Sequence, residues 1–178
     1  MNHKSGRVSF LLAGILLSAH GTADDNLDQR IAHARSAAPA SISADATIVV
    51  DGKVVEKGSN GWTCMPDTMP GDGAAMCNDA IWMKMMGAMG SKKDFTAEGV
   101  GISYMLQGDI GAGVSNSDPF HPDPESAADY VETGPHLMIV VPRQLLKGMT
   151  DDPSSGGPYV MWGDTPYAHI MVPVADID

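Results

Sequence analysis

Basic side chains are scarce in this sequence. The 178 residues include 11 Lys and Arg against 22 Asp and Glu, giving a formal net charge of −11 at pH 7. Nucleic acids and anionic membrane surfaces repel a chain of that charge, so neither is expected as a partner. The charge indicates a solvated acidic surface, and it is also compatible with the capture of cations.

A long apolar run, which must reach about 20 residues to cross a bilayer, is missing too. The apolar run at residues 8–17 spans only ten residues. It follows the basic Lys4 and Arg7 and precedes a small, polar stretch that ends at Ala23. This three-part order predicts a signal peptide over residues 1–23, and therefore a periplasmic or secreted protein without membrane contact after cleavage.

Cysteine is rare, with two residues, Cys64 and Cys77. In an exported chain such a lone pair predicts a disulfide. A thiolate that binds metal or acts as a nucleophile is the alternative. The two cysteines do not form a CxxC motif, so thiol–disulfide exchange is not supported.

Common catalytic motifs are also lacking. No GxSxG, HExxH, P-loop or GxGxxG pattern occurs in the chain, so no local pattern identifies a nucleophile, a zinc site or a nucleotide site. An enzyme could use a strand histidine, His136 or His169, as general base, with an acid from the long loop 108–134.

The patterns that are present indicate an α+β protein. Residues 24–45 are predicted to form a short, loosely docked N-terminal helix and a linker. Residues 46–178 are predicted to form a single domain, an antiparallel sheet of about five to seven strands with one helix packed on a face. Asp51-Gly52 predicts a tight hairpin turn, and the alternation of residues 100–107 predicts a central strand.

Methionine is abundant, with 13 residues. Several lie in a helix that is predicted to begin at an N-cap, Asn78, and to end at Met89. The helical spacing of Met85 and Met86 favours packing against the sheet over copper binding, because methionine fills irregular cores well. Loop 108–134 carries six acidic residues but no EF-hand pattern, so a solvated flap is favoured over a calcium site.

Two segments of the sequence are closely alike, GPHLMIVV at 134–141 and TPYAHIMVPV at 165–174. Each passes a proline and then runs His-x-Met into branched apolar residues, which predicts two core strands. Alternation places the histidine and methionine of each triplet on one face of its strand. The triplet residues are His136, Met138, His169 and Met171.

The last two strands are predicted to form a hairpin around residues 163–166. Its register would pair Trp162 with Tyr167 and Val160 with His169. If the two His-x-Met strands are neighbours with their faces aligned, one patch holds two histidines, two methionines and two aromatic rings.

This patch favours a binding function. Copper is the best metal candidate, since Cu(I) accepts soft sulfur and imidazole suits both oxidation states. The predicted metal ligands are His136, His169, Met138 and Met171. The second hypothesis is a small organic ligand in an aromatic-lined cleft. Its predicted contacts are His136, His169, Trp162 and Tyr167. An enzyme and a purely structural or interaction domain remain alternatives.

Four segments together resemble a family of small exported bacterial proteins without an assigned activity. They are NGWTCMPD at 60–67, GISYMLQGD at 101–109, GPHLMIVVP at 134–142 and PYVMWGDTPYAHIMVPV at 158–174. The resemblance covers most of the chain after residue 23 and implies a common fold. It carries no catalytic or binding residue across.

Overall fold

The computed structural model of the protein describes residues 22–175. The predicted signal peptide falls on residues 1–23 and so lies almost wholly outside this range. Within it, no helix has the length and apolar character needed to cross a membrane.

The helices are α1 (Thr22–Ser36), α2 (Ala40–Ser43) and α3 (Ala80–Gly90), with 3-10 turns at Pro124–Ser126, Arg143–Leu146 and Pro153–Ser155. The strands are β1 (Thr47–Val50), β2 (Lys53–Glu56), β3 (Thr63–Met65), β4 (Met76–Asn78), β5 (Gly101–Met105), β6 (Val114–Ser115), β7 (Tyr130–Val131), β8 (His136–Val140), β9 (Tyr159–Met161) and β10 (His169–Pro173).

The predicted α+β class is confirmed. In the described range, three α-helices accompany a mixed sheet of eight strands in the order β2-β1-β3-β4-β5-β8-β10-β9, and β6 and β7 form a separate ribbon. The prediction of about five to seven strands is too low, partly because β4, with three residues, shows little pattern. The sheet is not purely antiparallel either, since β1 pairs in parallel with β3. Strand β2 pairs with one edge of β1, and the other edge of β1 pairs with β3.

Helix α3 begins later than its sequence pattern predicts. Asn78 is the last residue of β4, so the predicted N-cap is wrong. Asp79 is the cap instead, and its Oδ1 accepts hydrogen bonds from the backbone N–H groups of Ile81 and Trp82. Its Oδ2 accepts from the N–H of Ile102 in β5 at 2.8 Å. One carboxylate therefore starts the helix and ties it to the sheet beneath it.

The two faces of the sheet carry different cores. Helix α1 packs on one face, where small side chains allow close approach, and Ala34 is fully buried beside Ile48 and the two cysteines. The prediction of a loosely docked N-terminal helix is therefore wrong. Helix α3 packs on the other face, over a core built mainly from methionine and aromatic residues.

Residues 108–134 form a cover rather than the predicted solvated flap. Strands β6 and β7 pair within this segment, and Val114 and Val131 pack against the core beneath α3. The Ser115 side chain is buried and donates to Asp129 at 2.9 Å, which anchors the ribbon. The segment thus closes one side of the α3 face of the sheet.

Candidate functional site

The two His-x-Met strands lie side by side. Strand β8 pairs with β10 in antiparallel register, with Met138 directly opposite Met171. Because side chains alternate along a strand and directly opposed residues share a face, both histidines lie on the same face as this methionine pair. His136 and His169 are essentially inaccessible to solvent.

The two histidines sit at opposite ends of the methionine pair. His136 lies opposite Pro173, which is four residues beyond His169 along β10. At the usual rise per residue this offset corresponds to about 13 Å along the strands. In the sheet, the methionine pair therefore lies between the backbone positions of the two histidines.

A further methionine lies directly opposite each histidine, on the next strand outward. Met105 of β5 faces His136, and Met161 of β9 faces His169. Above them, α3 contributes Trp82 and three methionines to the lid of a cavity of about 80 Å³. Eight methionines line it: Met76, Met85, Met86, Met89, Met105, Met138, Met161 and Met171.

Both imidazoles are held in the same way. Nδ1 of His136 lies 2.7 Å from the carbonyl oxygen of Gly134, and Nδ1 of His169 lies 3.0 Å from that of Tyr167. A carbonyl oxygen only accepts, so each Nδ1 carries the hydrogen and donates it. Each Nε2 is then an unprotonated acceptor, and both Nε2 atoms are buried without a hydrogen-bond partner in the part of the chain that the structure describes. A ring nitrogen oriented in this way is suited to metal coordination.

Burial keeps both rings neutral. Removal from water lowers the pKa of His136, although its hydrogen bond to Gly134 opposes the shift. The same cause lowers the pKa of His169 to about 4, with a smaller contribution from the charge of His136. At neutral pH the cavity therefore offers two imidazole lone pairs rather than two cations.

Two indoles enclose the ring of His169. Trp82 and Trp162 meet it edge-on, with ring centroids at 5.2 and 5.0 Å. The indole N–H of Trp162 donates to the carbonyl oxygen of Ser115 at 2.9 Å, which fixes the side chain against the ribbon. Trp162 therefore lies in the patch where the sequence places it.

The predicted register of the last hairpin is wrong by one residue. His169 pairs with Met161, not with Val160, because Trp162 adopts a positive φ of 54° and leaves the strand. This backbone turn lets Met161 and Trp162, although consecutive, both line the cavity.

Tyr167 does not line the cavity. Its hydroxyl donates to the carbonyl oxygen of Lys93 at 2.9 Å, and its ring meets Phe120 edge-on at 5.8 Å. Its contribution to the site is the backbone carbonyl that orients the ring of His169.

Asp109 is a lining residue that the sequence does not single out. Its Oδ1 lies 3.9 Å from Nε2 of His136, beyond hydrogen-bonding distance, and since His136 is neutral the two do not form an ion pair. Its Oδ2 accepts from the N–H of Thr133 at 2.6 Å. Burial raises the pKa of Asp109 to about 7, so the carboxyl group is half protonated near neutral pH.

Cys64 and Cys77 form the predicted disulfide. They are directly opposed in the β3–β4 pair and fully buried on the α1 face of the sheet. The alternative of a thiolate ligand does not fit this arrangement, because the sulfur atoms lie on the face away from the cavity.

The methionines of α3, assigned from their spacing to the core alone, belong both to the core and to the cavity wall. Among residues 22–175, no three His, Cys, Asp or Glu residues cluster as metal ligands do. A metal in the cavity would therefore depend on thioether sulfur.

A comparison of the chain with family models, curated proteins and solved structures finds no match, so the resemblance to a family of small exported bacterial proteins stays a prediction.

Proposed function

We propose that this protein binds monovalent copper in the methionine-lined cavity. The observation that carries the proposal is the pair of buried Nε2 atoms without partners, on His136 and His169, facing eight thioethers. Thioether and imidazole together form a soft ligand set, which favours Cu(I) over Zn²⁺, Mg²⁺ or Ca²⁺.

The low polarity of the cavity supports the same oxidation state. Moving an ion from water into an apolar site costs more as its charge rises, and neutral ligands do not offset a second positive charge. Among the described residues, Asp109 is the one carboxyl group in the lining, and it is already half neutralised near pH 7. We therefore expect a preference for Cu(I) over Cu(II).

An exported location belongs to the proposal. The disulfide is compatible with an oxidising compartment, and the pattern of residues 1–23 is that of a signal peptide. Secretion or residence in the periplasm would bring the site into contact with copper outside the cytoplasm.

Competitive titration tests this function. Purified, tag-free protein is titrated anaerobically with Cu(I) in the presence of a coloured chelator. We expect a stoichiometric complex that His136→Ala or His169→Ala weakens. His121→Ala and Met69→Leu are matched controls, because neither residue lines the cavity, and both should bind as the wild type does. Absence of binding at micromolar Cu(I) would remove the proposal.

A small apolar molecule is the second candidate. The specific observation is that two indoles and eight thioethers dominate the wall of the cavity, a lining typical of small-molecule sites. This function predicts a change in tryptophan fluorescence and a raised melting temperature with some member of a metabolite panel. The metal-free protein should respond equally well in that case, which separates the two candidates.

A further inference from the structure

We infer that the protein binds two Cu(I) ions, one at each histidine, rather than one ion between them. The inference rests on the proposed function and specifies its stoichiometry and ligands. Each site consists of a histidine, the methionine two residues later in the same strand, and the methionine directly opposite the histidine on the outer neighbouring strand. The two sets are His136, Met138 and Met105, and His169, Met171 and Met161.

Local symmetry relates the two sets. Met138 and Met171 are directly opposed in an antiparallel pair, so an approximate twofold axis passes between them, perpendicular to the sheet. Rotation about it carries the first His-x-Met triplet onto the second. It also carries β5 onto β9 in the strand order, and with it Met105 onto Met161.

The symmetry extends to the groups that orient the rings. Each Nδ1 donates to the backbone carbonyl of the residue two positions earlier, Gly134 for His136 and Tyr167 for His169. Both Nε2 atoms are left buried without a partner. Two copies of one local arrangement, each with its own free nitrogen, provide two coordination centres.

Distance argues against one shared ion. Two imidazoles on one metal bring their Nε2 atoms within about 4 Å of each other, since each metal–nitrogen bond is about 2 Å long. The register instead offsets the Cα atoms of the two residues by four positions along the strands, about 13 Å, and by one strand spacing. The two histidines also have different methionines opposite them. Met105 lies on β5 and Met161 on β9, on opposite sides of the β8–β10 pair.

The surroundings of the two sites differ, which makes them separable by experiment. The ring of His169 is enclosed by Trp82 and Trp162, at 5.2 and 5.0 Å. His136 instead has Asp109 at 3.9 Å. An ion at His169 should therefore quench tryptophan fluorescence strongly, whereas an ion at His136 should quench it little. Trp62 packs on the opposite face of the sheet, and Trp62→Phe removes its constant background.

The test counts ions per chain by equilibrium dialysis and elemental analysis, with fluorescence recorded in parallel. We expect two Cu(I) for the wild type and one for either His136→Ala or His169→Ala. Strong quenching should survive in His136→Ala and disappear in His169→Ala. Thermal unfolding shows whether each variant is folded.

Volume-conserving variants provide a second test in case the alanine variants misfold. Met105→Leu and Met161→Leu keep the packing volume, and each should weaken its own site by at least about tenfold while leaving the other intact. Met69→Leu, exposed and outside the cavity, should change neither.

The outcomes separate the inference from the proposed function. One ion per wild-type chain, lost in either histidine variant, would overturn the inference and leave Cu(I) binding intact. No ion in the wild type would overturn both. Two ions with quenching lost equally in both histidine variants would contradict the assignment of separate ligand sets.

Discussion

Each imidazole of the cavity uses one ring nitrogen to fix its own orientation. The acceptor is a backbone carbonyl two residues earlier in both cases, so the tautomer is set by the strand itself rather than by a neighbouring side chain. The arrangement leaves Nε2 of His136 and His169 available and holds it in a defined direction, which reduces the reorganisation needed to bind a ligand.

The lowered pKa of His169 has a consequence for acid stability. The folded chain does not protonate this ring until about pH 4, whereas the unfolded chain protonates it near pH 6.5. Its contribution is therefore fully present above about pH 6.5 and is lost as the pH falls toward about 4. We expect His169→Leu to reduce the stability loss between about pH 7 and 5 by roughly 2 kcal/mol, measured by urea unfolding. An equal loss in both proteins would contradict this account.

Asp109 should show the opposite dependence. Its pKa is raised from 3.8 to about 7 in the folded protein, so the folded chain binds the proton more tightly and loses stability as the pH rises through that range. We expect Asp109→Asn to be more stable than the wild type by roughly 4 kcal/mol at about pH 8, and nearly equal to it at about pH 4. The amide oxygen can still accept from Thr133.

Melting temperatures at the two pH values measure this effect. The exposed Asp151→Asn is the control and should not differ from the wild type at either pH. A stabilisation by Asp109→Asn that is independent of pH would show that charge burial is not its cause.

Among the elements, α3 lies close to the sheet at Gly101. A Cβ at this position would lie 2.7 Å from Cγ1 of Val140 and 2.8 Å from Cγ2 of Ile81. We expect Gly101→Ala to push the helix away from β5 and to lower the free energy of unfolding by about 1–3 kcal/mol. Chemical denaturation gives the value. Gly87→Ala, in open space on the same helix, should be neutral or slightly stabilising.

Elements that depend on local pattern were predictable. Asp51 and Gly52 adopt positive φ angles of 50° and 71°, as expected of the tight turn that their sequence favours. The alternation of residues 100–107 correctly predicts a strand inside the sheet, and β5 lies between β4 and β8. The register of the last hairpin was not predictable, because the positive φ of Trp162 is rare for a bulky residue.

At the scale of the whole molecule, the α+β class and the two His-x-Met strands follow from the sequence, whereas the adjacency of these strands and the extent of the cavity do not. Met105 and Met161 reach it because β5 and β9 flank the two strands, and strand order is a long-range property that periodicity does not encode. The same holds for Asp109. Its hydrogen bond from the N–H of Thr133, just before β8, holds it near His136.

The disulfide stabilises the whole fold without contributing to the site. It joins β3 to β4 across a sequence separation of 13, for which the chain-entropy account gives about 3 kcal/mol. We expect Cys64→Ala/Cys77→Ala to lose about 2–4 kcal/mol of stability in urea unfolding and to keep its capacity for Cu(I). If the double variant were folded but failed to bind Cu(I), the separation of the two faces would be contradicted. Free thiols in denatured, unreduced wild-type protein would contradict the disulfide itself.

The sheet separates two kinds of sulfur chemistry, cystine on the face of α1 and thioether on the face of α3. Two thiols can oxidise to a disulfide and lose their affinity for metal, whereas a thioether cannot form a disulfide and is oxidised to the sulfoxide instead. A soft-metal site built from thioethers would not need a reductant to prevent its sulfur ligands from pairing as disulfides. Under the proposed function, an oxidising compartment would therefore stabilise the α1 face through the disulfide and leave the thioether ligands of the α3 face available to Cu(I).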